Sequence, residues 1–231
     1  MWVSILGFMA AAGLACSAFA GELNRTETRW LQGMWPVVVF AKQARLPLDI
    51  VVQPQHAPGA APLALGFVDG RCKLVLSMRG NSQAQAQATL DRIDPDLRDA
   101  ALELMAAHEL GHCRRYLDGA WYGLPAGFSD HLPVDLDAPT RVAYARMQAT
   151  RREEGYGDLV GLAWTQQQRP HLYARLHAWL LEERSKDLIP GSHHDTLAWL
   201  HLAERGVARS AGGSIFVAAA ALWTMGLGAD D

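Results

Sequence analysis

The chain has 231 residues, half of them hydrophobic, and a formal net charge of −3 at pH 7. That length can bury one sizeable core, so a single folded domain is expected. It carries no basic block, which argues against a nucleic-acid footprint.

Residues 1–20 are apolar and end in Ala18-Phe19-Ala20, an A-x-A site before Gly21-Glu22. This reads as a secretory signal peptide cleaved after Ala20, leaving residues 21–231 as one exported, most simply periplasmic, domain. Only the terminal amine charges its first region, so an uncleaved membrane anchor is the alternative. Cleavage removes Cys16 and leaves Cys72 and Cys113. An even pair in an exported protein suggests a disulfide; two buried free thiols are the other reading.

Residues 22–45 read as a helix with Trp30, Leu31, Met34, Val37, Val38 and Phe40 as apolar contacts, and with a kink or restart at Pro36. An apolar run over 48–52 precedes a breaker-rich loop at 53–59. Leu63 to Phe67 and Cys72 to Met78 read as strands flanking Asp69-Gly70, a hairpin signal. The alternating Gln and Ala of 81–88 assign no structure. Asp94-Pro95 opens a helix, with aspartate as cap and proline in the first turn, that runs to about Leu117. Asp118-Gly119 stops it.

The second half of that helix contains His108-Glu109-Leu110-Gly111-His112. Positions i and i+4 share one helical face, so the two imidazoles can aim at one metal ion. Glu109 stands beside them, placed to act as general base. Zinc suits such a site, with three protein ligands and one position left open. The run before it, Ala100 to Ala107, is largely apolar and marks a buried helix, where an unpaired histidine pair would be costly. Gly111 suits close packing against another backbone. A disulfide from Cys113 would tie the Cys72 strand to the end of this helix.

Residues 119–138 form a long loop rich in glycine and proline beside the site, as cleft walls often do. Thr140 to about Gln168 is helical, interrupted by Gly155 and Gly157. His171 to Lys186 is a further helix whose charges read as a solvated face. Asp195 is expected to cap a helix running through Arg205. Ser214 to Leu227 is apolar but short for a membrane span, so it reads as a buried C-terminal helix, with a membrane contact as the second reading.

The third ligand has to come from elsewhere. Asp118, six residues after His112, is rejected because Arg115 stands where a turn would need glycine. Glu154 and Asp158 lie four apart on one helical face. Glu154 can complete the ligand set, with Glu153 the next choice. Asp158 can accept the spare N–H of a ligand histidine and fix its orientation.

His108-Glu109-x-x-His112 followed by Glu154-x-x-x-Asp158 resembles the gluzincin metallopeptidases, the thermolysin-like clan. The resemblance covers two short segments. It implies an α+β zincin-like fold, mostly helical, with a small N-terminal sheet packed on the metal-binding helix. It also implies one zinc per chain on His108, His112 and Glu154, Glu109 as general base, and a peptide or protein substrate. A further residue, often histidine, holds the oxyanion in that clan. His194 is preferred for this over its neighbour His193. The alternative function is a zinc-binding scaffold of the same kind that serves in envelope binding or assembly without turnover.

Overall fold

A computed structural model of the chain describes residues 22–54, 61–79, 82–129, 132–133, 135–186, 188–207 and 213–229. The expected signal peptide, Cys16 and most of the 53–59 loop lie outside the described residues.

The first helix, α1 (Arg25–Gln43), opens on a reciprocal cap. The Asn24 side chain accepts the Glu27 N–H while the Glu27 carboxylate accepts the Asn24 N–H, satisfying two donors the helix itself cannot. Its buried stripe is Trp30, Met34, Val37 and Ala41, spaced three to four apart as one helical face requires. The helix runs through Pro36 without restarting. Gln32, whose carbonyl loses its partner to the proline ring, and Pro36 are both exposed, so water can take the freed carbonyl.

Three strands follow: β1 (Leu48–Pro54), β2 (Leu63–Val68) and β3 (Arg71–Arg79). Their order is β1-β3-β2, with β1 parallel and β2 antiparallel to the central β3. The expected hairpin turns on Asp69 and Gly70, both at positive φ (52° and 72°), as a two-residue turn matched to strand twist demands. On β3, Cys72, Leu74, Leu76 and Met78 are buried at every second position, one face of a strand. The Gln- and Ala-rich segment is a helix, α2 (Ser82–Asp91).

The central helix is α3 (Arg98–Leu117). It begins later than Asp94-Pro95 suggests. The Leu97 N–H closes a separate turn on the Asp94 carbonyl, and the Asp94 side chain is engaged by Arg175 instead of capping. The Asp118 and Gly119 N–H groups end α3 on the Arg114 and Tyr116 carbonyls, with Gly119 at positive φ. The sulfurs of Cys72 and Cys113 are bonded, with a Cα–Cα distance of 5.7 Å, so β3 is stapled to α3 one residue beyond His112.

Next comes α4 (Ala138–Gln168), capped by the Asp137 side chain on the Thr140 N–H. The expected interruption at Gly155 and Gly157 is absent: α4 is continuous across both. The glycines are there for space. A Cβ on Gly155 would lie 2.5 Å from the Trp199 ring, and one on Gly157 would lie 2.7 Å from the His108 ring. Gly111, on α3, faces the Gly157 Cα, which a Cβ would meet at 3.2 Å. Small residues thus let α3 and α4 approach closely.

The chain closes with α5 (Tyr173–Ser185), the short α6 (Leu197–Leu202) and α7 (Ile215–Ala229). The helix after Asp195 is shorter than expected, and Asp195 does not cap it. Its carboxylate instead accepts the Gly191 N–H and closes the 191–195 turn. The apolar C-terminal helix packs against α4, burying Ile215, Ala219, Trp223 and Leu227. Among the described residues no helix is long and apolar enough to cross a membrane.

Candidate metal centre

His108 and His112 project from α3 toward α4, where Glu154 meets them. One ligand atom from each of the three lies within 4.8 Å of the others. His108 Nε2 is 3.6 Å from Glu154 Oε2, and His112 Nε2 is 3.5 Å from Glu154 Oε1. Two ligands held about 2.1 Å from one tetrahedral ion stand roughly 3.4 Å apart. The separations and the donor set, two imidazole nitrogens and a carboxylate oxygen, therefore fit zinc.

Asp158, one turn after Glu154, orients this group. Its Oδ1 lies 2.9 Å from His108 Nδ1, which leaves Nε2 facing Glu154. The same carboxylate accepts from Arg184 at 2.7 and 2.9 Å and from the Thr196 hydroxyl at 2.6 Å. Burial pushes the Asp158 carboxyl up, but the Arg184 charge and the His108 hydrogen bond outweigh it and hold it at about 2. Asp158 is thus a fixed anion with every oxygen used.

Glu153 is directed away. Its carboxylate takes Arg115 in a forked pair and the backbone N–H of Tyr122. Neighbouring residues on a helix turn about 100° apart, so only one of Glu153 and Glu154 can face α3 at the histidines, and it is Glu154.

Glu109 is half-buried and receives a backbone hydrogen bond from Leu65 of β2. Burial raises its carboxyl to about 7, despite the nearby His112 and Arg184 charges. A carboxylate tuned to that range can both take and return a proton near neutral pH.

Two residues of the surroundings were not legible from sequence. Arg184 donates to Glu154 Oε2 at 3.1 Å as well as to Asp158, so α5 does not present a wholly solvated face. His177 and Leu180 are buried two turns and one turn before it, on the same helical stripe. Thr196 is fully buried against Asp158. His194, the residue preferred for the oxyanion, is exposed; its Nδ1 accepts from Arg184 Nη1 at 3.0 Å. Partial loss of solvent and the Arg184 charge lower its pKa. Its neighbour His193 lies against it, with ring centroids 3.9 Å apart and the planes tilted by 46°.

His112 lacks the support His108 has. Its Nδ1 is buried and has no hydrogen-bond partner among the described residues. Its ring is held by packing, edge-on to Trp121 at 5.4 Å and to His108 at 4.6 Å.

Comparison with known proteins finds no matching family model, no matching curated protein and no matching solved structure.

Proposed function

We propose that the chain is an exported, zinc-dependent metallopeptidase with a zincin-like core, resembling the gluzincins. The observation that carries this reading is the convergence of His108, His112 and Glu154 on one point, with Glu109 next to His108 on the same helix. His108, His112 and Glu154 would hold the ion. Zinc bound there supplies Lewis acidity, making a water more acidic and polarising a carbonyl.

The protein's own groups do the remaining work. The Glu109 carboxylate takes a proton from the attacking water and delivers it to the nitrogen of the leaving amine. The Asp158 carboxylate fixes the His108 ring through Nδ1. Arg184 balances the Glu154 and Asp158 charges and holds His194 through its Nδ1; His194 would donate to the developing oxyanion. The oxyanion role rests on proximity through Arg184, and His194→Ala is its test.

The reading is checked by zinc content and hydrolysis of a peptide library for the wild type and Glu109→Gln. The variant is expected to keep its zinc and lose turnover. Unchanged turnover would overturn the mechanism. A zinc-loaded wild type inert to every peptide would favour the alternative, a non-catalytic envelope binding or assembly protein.

A further inference from the structure

A cleft of about 520 Å³ lies between α1 on one side and α3 and α4 on the other, lined by residues other than those of the metal centre. Clefts of roughly 300–1,000 Å³ are the size that small ligands occupy. Trp35, Val39 and Gln43 recur at one helical spacing along α1 and form one wall together with Phe40. Trp164 and Gln168 of α4 stand on the other. Phe40 and Trp164 meet edge-on at 5.3 Å, joining the two walls. The outer α1 side chains are left to solvent: Trp35 is 54% exposed and Val39 40%. Trp30, Met34, Val37 and Ala41 already give α1 its buried stripe, so Trp35 contributes little to the core.

Glu103 and Arg169 supply the charge in this cleft. Glu103 is buried, and its oxygens accept from Trp164 Nε1 at 2.9 Å and from Arg169 Nη2 at 2.8 Å. Its charge is balanced, so it offers little to a cation, which would also meet the Arg169 guanidinium. Arg169 differs. Its side chain is 44% exposed, and Nη2 is the donor engaged by Glu103. Among the described residues its Nε and Nη1 groups meet no acceptor. A guanidinium is a rigid planar fork of N–H donors, so fixing one arm on a buried carboxylate fixes the direction of the rest. Such a fork receives a planar carboxylate. A phosphate dianion would crowd more negative charge against Glu103 and is less well matched.

We propose that this cleft binds an apolar monocarboxylate, with its apolar body against Trp35, Val39 and Phe40 and its carboxylate on Arg169. Glu103 takes no direct part in binding and serves to hold the guanidinium. The site is separate from the metal centre and stands whether or not the chain is a peptidase.

Calorimetric binding of 3-phenylpropanoate and of its neutral analogue 3-phenylpropanamide to the full chain tests this. The acid is expected to bind at least about tenfold more tightly, as a charge-assisted hydrogen bond allows. Arg169→Gln is expected to bring the two to about equal affinity. Trp35→Ala changes an exposed position, where folding is not at stake. It is expected to weaken both ligands by about threefold or more while their ratio is kept. A carboxylate can also ligate zinc, so Glu154→Ala is measured beside these and is expected to bind the acid as the wild type does. Equal binding of acid and amide, acid binding unaltered in Trp35→Ala, or its loss in Glu154→Ala would overturn the proposal. Where Arg169→Gln does not fold, the other two variants decide. The same pair of measurements with acetyl-Gly-Phe and acetyl-Gly-Phe-amide, made in Glu109→Gln to prevent turnover, separates two sources of the carboxylate. A preference for the peptide acid would support the site and assign the carboxylate to a peptide C-terminus. Binding of 3-phenylpropanoate without binding of the peptide acid would support it and assign a free acid.

Discussion

Glu103 and His108 stand five residues apart on α3, and each is a buried polar group that faces α4. At Glu103 every demand is met within the protein. One carboxylate oxygen accepts the Trp164 indole N–H at 2.9 Å and the other accepts Arg169 at 2.8 Å. An anion faces two donors, and nothing further is required. At His108 the arrangement differs. Two imidazole nitrogens and a carboxylate converge at 3.5–3.6 Å, beyond good hydrogen-bond distance, while Asp158, Arg184 and Thr196 hold the set from behind. The first cluster is closed and structural. The second is supported from outside and left open toward its centre, as a metal site is.

Substitutions that separate the two clusters sharpen the comparison. The largest effect is expected from Gly157→Val, which drives a side chain into the His108 ring. Zinc binding should fall by more than about 100-fold, because the ring cannot keep its place. A competitive chelator titration measures it. Asp158→Asn should weaken zinc by about 10–100-fold by loosening the His108 ring and releasing Arg184; the same titration checks it. The smallest effect belongs to the closed cluster. Glu103→Gln should lower unfolding free energy in denaturant by about 1–3 kcal/mol, since a buried hydrogen-bond set is left incomplete, with zinc affinity unaltered. If instead Glu103→Gln weakened zinc and Asp158→Asn did not, the division between the two clusters would be wrong.

Much of this was legible in the sequence because it is local. Helical spacing alone puts His108 and His112 on one face, and Glu154 and Asp158 on another. The turn chemistry of Asp69-Gly70 specifies the hairpin. The even pair of cysteines, Cys72 and Cys113, is bonded as expected. What escaped depends on tertiary contact. Gly155 and Gly157 break helices by intrinsic propensity, yet here they make room for the Trp199 and His108 rings, and packing overrides the preference. Asp94 and Asp195 both carry the chemistry of caps, but Arg175 and the Gly191 N–H claim their side chains. Arg184 sits in a charged stretch whose composition suggests solvent, and only the position of α5 against α4 shows that it meets Glu154 and Asp158. The choice between Glu153 and Glu154 likewise needed the rotation of α4 about its own axis.

The most direct test of the account is zinc content per chain, with Glu154→Ala measured alongside. The account predicts one tightly held zinc in the wild type and its loss in the variant, while thermal unfolding of both remains cooperative. A wild type that takes up no zinc after refolding with the metal, or a Glu154→Ala variant that holds zinc as tightly, would contradict it.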